Sequence, residues 1–203
     1  AKLTMLRDRI AEVIGSAPLS YRAGRYGLGS ASSHMLAQLG FACDTSVRSG
    51  FSYTAGGGPD YRFMPLRPYW SAAHPDLLEA PLTTLFLGLL GERGYHRLAS
   101  ISKRALSLAS RVGLVERVAL TPEGIPADRA CAAIDVAVGE GLPLLNFSFH
   151  SPSLEAGHTP YVRTEADLAD FYRWWDVVLA HLARLGVAPT TVAEVVAAAR
   201  QSR

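Results

Sequence analysis

Apolar residues recur at helical spacing from the start of the chain. Leu3, Leu6, Ile10, Val13 and Ile14 share one face, and Gly15 ends the run. "APLSYR" then predicts a short strand ending at Arg22. "GSASSHMLAQLG" predicts a compact helix with Ser30 as its cap and Gly40 as its terminator. "FACDTSV" reads as the next strand, residues 48–76 as a long loop rich in Gly, Pro and aromatics, and "LLEAPLT" as a short buried strand. Helices are expected over 94–112 and, after the turn "LTPEGIP", over 127–139. "LPLLNFSF" predicts a strand that runs into His150. Near the end, Thr164 with Asp167 and Thr191 with Glu194 have the spacing of capping boxes, so a helix should open at each.

This alternation of strand and helix predicts an α/β fold with parallel strands, in a single domain over 1–203. No internal repeat or low-complexity segment interrupts it. In such folds chemistry gathers in the crevice beyond the carboxyl ends of the strands, and Arg22, Asp44 and His150 fall there. An arginine, a carboxylate and a histidine at one mouth suit acid–base hydrolysis. The carboxylate can hold an imidazole in its charged form, which makes a general acid, and the arginine can orient a second carboxylate or stabilise an oxyanion. Each residue alone also fits a structural polar group satisfied by neighbouring backbone.

Composition narrows the classes. Hydrophobic residues make up 49% of the chain, and 20 Lys+Arg stand against 18 Asp+Glu with no basic run, so the protein is globular and nucleic acid is not an expected partner. Cys43 and Cys131 lie far apart with no CxxC, which argues against a disulfide framework and for a reduced compartment. Cys43 reads as a small buried hydrophobe rather than a nucleophile. "PLTTLFLGLLG" is too short to span a bilayer, so no membrane span is expected. No export signal is visible at Ala1, which leans towards the cytoplasm. The chain opens without Met, directly in a helical pattern, so an upstream segment is expected to be missing.

"SYRAGRYGLGS", "LGFACDTSV", "LLEAPLT" and "LLNFSFHSPSL" occur in the order and rough spacing of the polysaccharide deacetylase (NodB-homology) family, and the resemblance runs from the first helix to "GVAPTTVAEV". It is nearest to the bacterial branch whose last motif carries "FHSPSL" followed by "TPYVRT". The resemblance implies metal-dependent removal of an N-acetyl group from an amino sugar of a bacterial polysaccharide, on a distorted (β/α) barrel of which this chain is a part. In that family a divalent, zinc-like metal activates water, an aspartate serves as base, and a histidine protonates the leaving amine. On this sequence, Arg22 of "RAGRYG" matches the arginine that orients the base. Asp44 of "CDTSV" matches the carboxylate that tunes the histidine, and His150 of "FSFHSP" matches the general acid.

One part of the family pattern is absent. Members begin with an Asp–Asp strand and a His-x-x-x-His segment, which supply the base and the metal ligands. This chain has no Asp–Asp dipeptide, and its histidines (34, 74, 96, 150, 158 and 181) include no pair at that spacing. The first helix resembles the one that follows the His motif, which puts the missing part at on the order of 100 residues, or about three strand–helix units. A barrel without those strands exposes parallel edges. The expectation is therefore a truncated chain, a cleaved product, or a fragment whose other half is a separate polypeptide, its partner being a missing N-terminal half or a second copy bound through strand edges; a self-sufficient smaller α/β domain is the alternative. By itself the chain should not hydrolyse acetamides.

The remaining candidates concern substrate. "GRYGLGS" lacks the lysine of a phosphate loop and a full GxGxxG, so its glycines are read as tight turns beside the site, with Tyr26 as a substrate contact. "YTAGGGPDYRFMPLRPYW" fits a flexible surface loop, but Tyr61, Phe63, Tyr69 and Trp70 also suit a sugar-stacking rim; both readings stand. Ser151 joins the substrate contacts beside His150. Leu168, Phe171, Trp175, Val178 and Leu182 follow helical spacing, which makes Trp175 a core residue. His158 reads as an exposed loop residue, and His34, His74, His96 and His181 as structural or surface groups. Two functions remain: the acid-supplying part of a deacetylase acting on an acetylated glycan, or a non-enzymatic sugar-binding or interaction module.

Overall fold

The computed structural model describes residues 2–29 and 31–203; Ser30, the cap expected for the second helix, lies outside the described residues. The chain forms two compact units, Ala1–Pro81 with Thr190–Arg203, and Leu82–Pro189.

The first unit opens with helix α1, Lys2–Ile14, which Gly15 closes in a left-handed conformation (φ +83°) by donating to Ala11 O at 2.8 Å. Strands β1 (Ser20–Tyr21) and β2 (Cys43–Asp44) flank helix α2 (Ser32–Gln38). β3 (Tyr69–Trp70) and β4 (Leu78–Glu79) follow, and the sheet order is β1-β2-β4-β3. β1, β2 and β4 are parallel, as the alternation predicts, whereas β3 is antiparallel to β4 and arises inside the expected 48–76 loop. Tyr21, Asp44, Glu79 and Tyr69 are register partners across the four strands. One row of the sheet thus carries two adjacent carboxylates flanked by tyrosines.

A small core of Leu36, Phe41 and Leu77 holds this unit, with Leu3, Tyr21 and Leu39 packed against it. Leu6, Val13 and Ile14, on the predicted apolar face of α1, are exposed. Helix α7 (Val192–Gln201) opens at Thr191 with the predicted capping box.

In the second unit β5 (Thr84–Leu87) pairs antiparallel with β6 (Glu116–Ala119). The single helix expected over 94–112 is two, α3 (Gly91–Ile101) and α4 (Lys103–Arg111). The break is at Ser102, which is extended (φ −161°, ψ 149°) and caps α4 by accepting from Ala105 N at 3.0 Å. α5 (Ala127–Gly139) matches its prediction, and α6 (Glu165–Arg184) begins with the predicted Thr164–Asp167 capping box.

"LPLLNFSF" is not a strand. Asn146 O accepts from Thr83 N at 3.0 Å and Ser148 N donates to Leu120 O at 3.1 Å, so isolated bonds replace a ladder. Leu85, Val118, Leu120, Ile134 and Val178 are fully buried together, each stabilising by ~1.5–3 kcal/mol. On α6, Phe171, Val178 and Leu182 are buried as predicted and Trp175 packs half-buried against this core, with Trp174 entering it as well. Among the described residues no helix is long and apolar enough to cross a membrane.

Candidate active site

His150 lies where the apolar segment gives way to a short 3-10 turn, Ser151–Leu154. Its backbone is extended, and its carbonyl accepts from Ser153 N at 2.8 Å, so the chain turns immediately and leaves the ring outside. The side chain is 63% exposed, while the carboxylate beside it, Glu123, is 6% exposed. One Glu123 oxygen accepts His150 N at 2.8 Å and Ser153 Oγ at 2.6 Å, and the other lies 2.7 Å from His150 Nδ1. A carboxylate has no proton to give in this contact, so Nδ1 is the donor and Nε2 is the nitrogen left for chemistry. The Tyr161 ring lies parallel to the imidazole, centroids 6.3 Å apart.

Glu123 sits in the predicted "LTPEGIP" turn, and the fold holds that turn firmly. Trp174 Nε1 donates to Ile125 O at 2.8 Å, and Thr121 Oγ1 accepts Glu123 N at 3.2 Å. The His150 side is anchored by Phe147 on Trp175 and by Phe149 on Phe171 and Trp175. Hydrogen bonds thus hold the Glu123 turn, and aromatic packing holds the segment that carries His150. Within its own unit, the carboxylate that holds His150 is Glu123. A Glu in a Thr-Pro-x-Gly turn was the only sequence signal for it.

Arg22 and Asp44 both lie in the first unit. Arg22 is exposed, its Nε donating to Thr45 Oγ1 at 3.0 Å, and its charge favours the Asp44 carboxylate. Asp44 is fully buried; Oδ1 accepts Ser46 N at 2.9 Å and Ser46 Oγ at 2.5 Å. Burial raises its pKa, against the pull of Ser46 and Arg22. Its register neighbour Glu79, which the sequence reading did not single out, is also buried. Burial, with repulsion from Asp44, pushes the Glu79 carboxyl up to about 7 against the pull of the nearby Ser71 and Ser33 hydroxyls. Cys43 is buried as expected, its thiol pushed up to about 12 by burial and both carboxylates.

The proposed sugar-stacking residues divide. Tyr61 is buried and donates from its hydroxyl to Tyr26 O at 2.8 Å, so it supports the Tyr26 turn and offers no exposed face. Tyr26 is half-buried in a left-handed conformation (φ +56°), as is Arg25 (φ +53°), and Arg48 lies 5.3 Å over its ring. Tyr69 is half-buried beside Glu79, and Trp70 carries the Arg203 guanidinium 3.9 Å over its ring. Phe63 is exposed, as a rim would need. Ser151 is exposed next to His150, and His158 is an exposed loop residue paired with Glu155.

Among the described residues no three His, Cys, Asp or Glu side chains converge as a metal site requires. His34 and His74 have rings 5.7 Å apart, but Gln38 and the Asp76 N–H occupy a nitrogen of each. The described residues by themselves therefore do not fit the divalent metal that the resemblance implies. Comparison with known proteins finds no matching family model, no matching curated protein and no matching solved structure.

Proposed function

We propose that this chain carries the general-acid half of a metal-dependent hydrolase that removes N-acetyl groups from amino sugars of a polysaccharide, on a partial, distorted (β/α) barrel. The observation that carries the reading is the His150–Glu123 pair: an exposed imidazole whose Nδ1 is held by a buried carboxylate. The ordered motifs and the parallel β1, β2 and β4 support the architecture.

Amide hydrolysis needs such a group. After water adds to the acetyl carbonyl, the C–N bond breaks readily only if the departing nitrogen is protonated, because an amide anion is a very poor leaving group. His150 gives the proton from Nε2, the C–N electron pair stays on nitrogen, and a free amine and acetate result. Glu123 holds the ring's direction through Nδ1. Arg22 keeps the orienting role that the resemblance implies. In this reading the metal and the base belong to residues outside these 203.

The test is acetate release by the complete gene product from oligomers of N-acetylglucosamine, with the amine product identified by mass. One acetate per new amine is expected. No acetate from any N-acetylated amino sugar, with divalent metals supplied, would reject the reading.

A further inference from the structure

The first unit holds two carboxyl groups on adjacent parallel strands, at register positions Asp44 and Glu79. Neighbouring strands run about 4.8 Å apart, so the groups start from nearly touching backbones. Asp44 is 0% exposed and Glu79 4%. Each has one oxygen satisfied by hydroxyl or backbone donors, Asp44 Oδ1 by Ser46 and Glu79 Oε1 by Ser33. Each also has one buried oxygen, Asp44 Oδ2 and Glu79 Oε2, with no hydrogen-bond donor among the described residues. Arg22 is the cation acting on Asp44. Two buried carboxylates against one guanidinium leave an excess negative charge and two orphaned acceptors.

We propose that Asp44 and Glu79 form a proton-binding site, one proton shared between Asp44 Oδ2 and Glu79 Oε2, and that releasing it loosens the β2–β4 seam. One proton satisfies both orphaned oxygens at once, as donor on one and hydrogen bond to the other, and removes the excess charge. The direction of the Glu79 shift agrees. The other groups that act on the pair are Arg22 after β1, Cys43 on β2, Tyr61 from the loop and Tyr69 on β3, with Tyr26 and Tyr53 coupled to these. Cys43, Tyr61 and Tyr69 are all pushed upward, so they stay neutral while the pair titrates. The site is independent of the deacetylase reading.

The sign follows from linkage. The folded state keeps a proton up to about pH 7 that an unfolded Glu79, at its ordinary 4.5, has already lost. Stability from this site is full below the unfolded value and is lost as pH rises through the folded one.

The experiment is denaturant unfolding of wild type and Glu79→Gln from pH 5 to 8. The amide cannot titrate and still offers Asp44 a donor. The wild-type folding constant, relative to the variant, should fall by up to tenfold per pH unit between 5 and 7; the subtraction removes whatever His34 and His74 contribute. Parallel curves would overturn the proposal. If the variant does not fold, carboxyl-carbon NMR of the wild type decides: a Glu79 midpoint near neutrality supports the shared proton, and both carboxyls ionised at pH 5 refutes it.

Discussion

Glu123 grips His150 twice, accepting its backbone N–H at 2.8 Å through one oxygen and facing its ring Nδ1 at 2.7 Å through the other. The residue that aims the imidazole thus also fixes the main chain that carries it. Glu123→Gln puts an amide where one of those carboxylate oxygens stood, so the ring loses its anionic partner. Acetate release by the complete gene product should fall at least tenfold in kcat with little change in KM. A matching loss in KM would mean that Glu123 shapes the sugar site instead.

The same carboxylate also has a structural duty. Glu123→Ala removes the acceptor of the His150 N–H and leaves Ser153 Oγ, in a fully buried residue, with Thr159 Oγ1 as its remaining partner, at a cost of about 1–3 kcal/mol. Denaturant unfolding should show this loss, and Ser153→Ala, which removes a single donor, should show less.

Gly88 adopts φ +98°, and a Cβ there would lie 2.8 Å from both Gly113 O and Leu114 O. Backbone oxygens cannot step aside as a side chain can. Gly88→Ala should therefore cost at least about 2 kcal/mol, read as a lower denaturant midpoint.

Thiol labelling separates the two cysteines. Cys43 is 1% exposed with its thiol pushed up to about 12, while Cys131 is partly exposed with a smaller upward shift. A disulfide reagent on the native protein should modify Cys131 first and reach Cys43 only on unfolding. Equal rates would show that β2 opens readily.

The sequence revealed what local chemistry decides. Gly15 and Gly40 end α1 and α2, and two Thr-x-x-acid boxes open α6 and α7, because stop and cap signals act within a few residues. Partners chosen by tertiary packing were hidden. β5 lay inside an apolar run with no alternation, and Ser102 broke a helix whose periodicity continued past it. His150 was visible as the end of an apolar segment, but its carboxylate lies 27 residues away in a turn, and nothing local ties Glu123 to it. Glu79 was hidden for the opposite reason. A lone acid closing "LLE" carries no sign that its register neighbour is also an acid.

The role of His150 is read from the rate of acetate release from N-acetylglucosamine oligomers by His150→Ala in the complete gene product, with oligomer binding measured in parallel. A loss of at least about 100-fold in kcat with binding retained is expected, the contribution of a positioned general acid. A variant that releases acetate at the wild-type rate would contradict it.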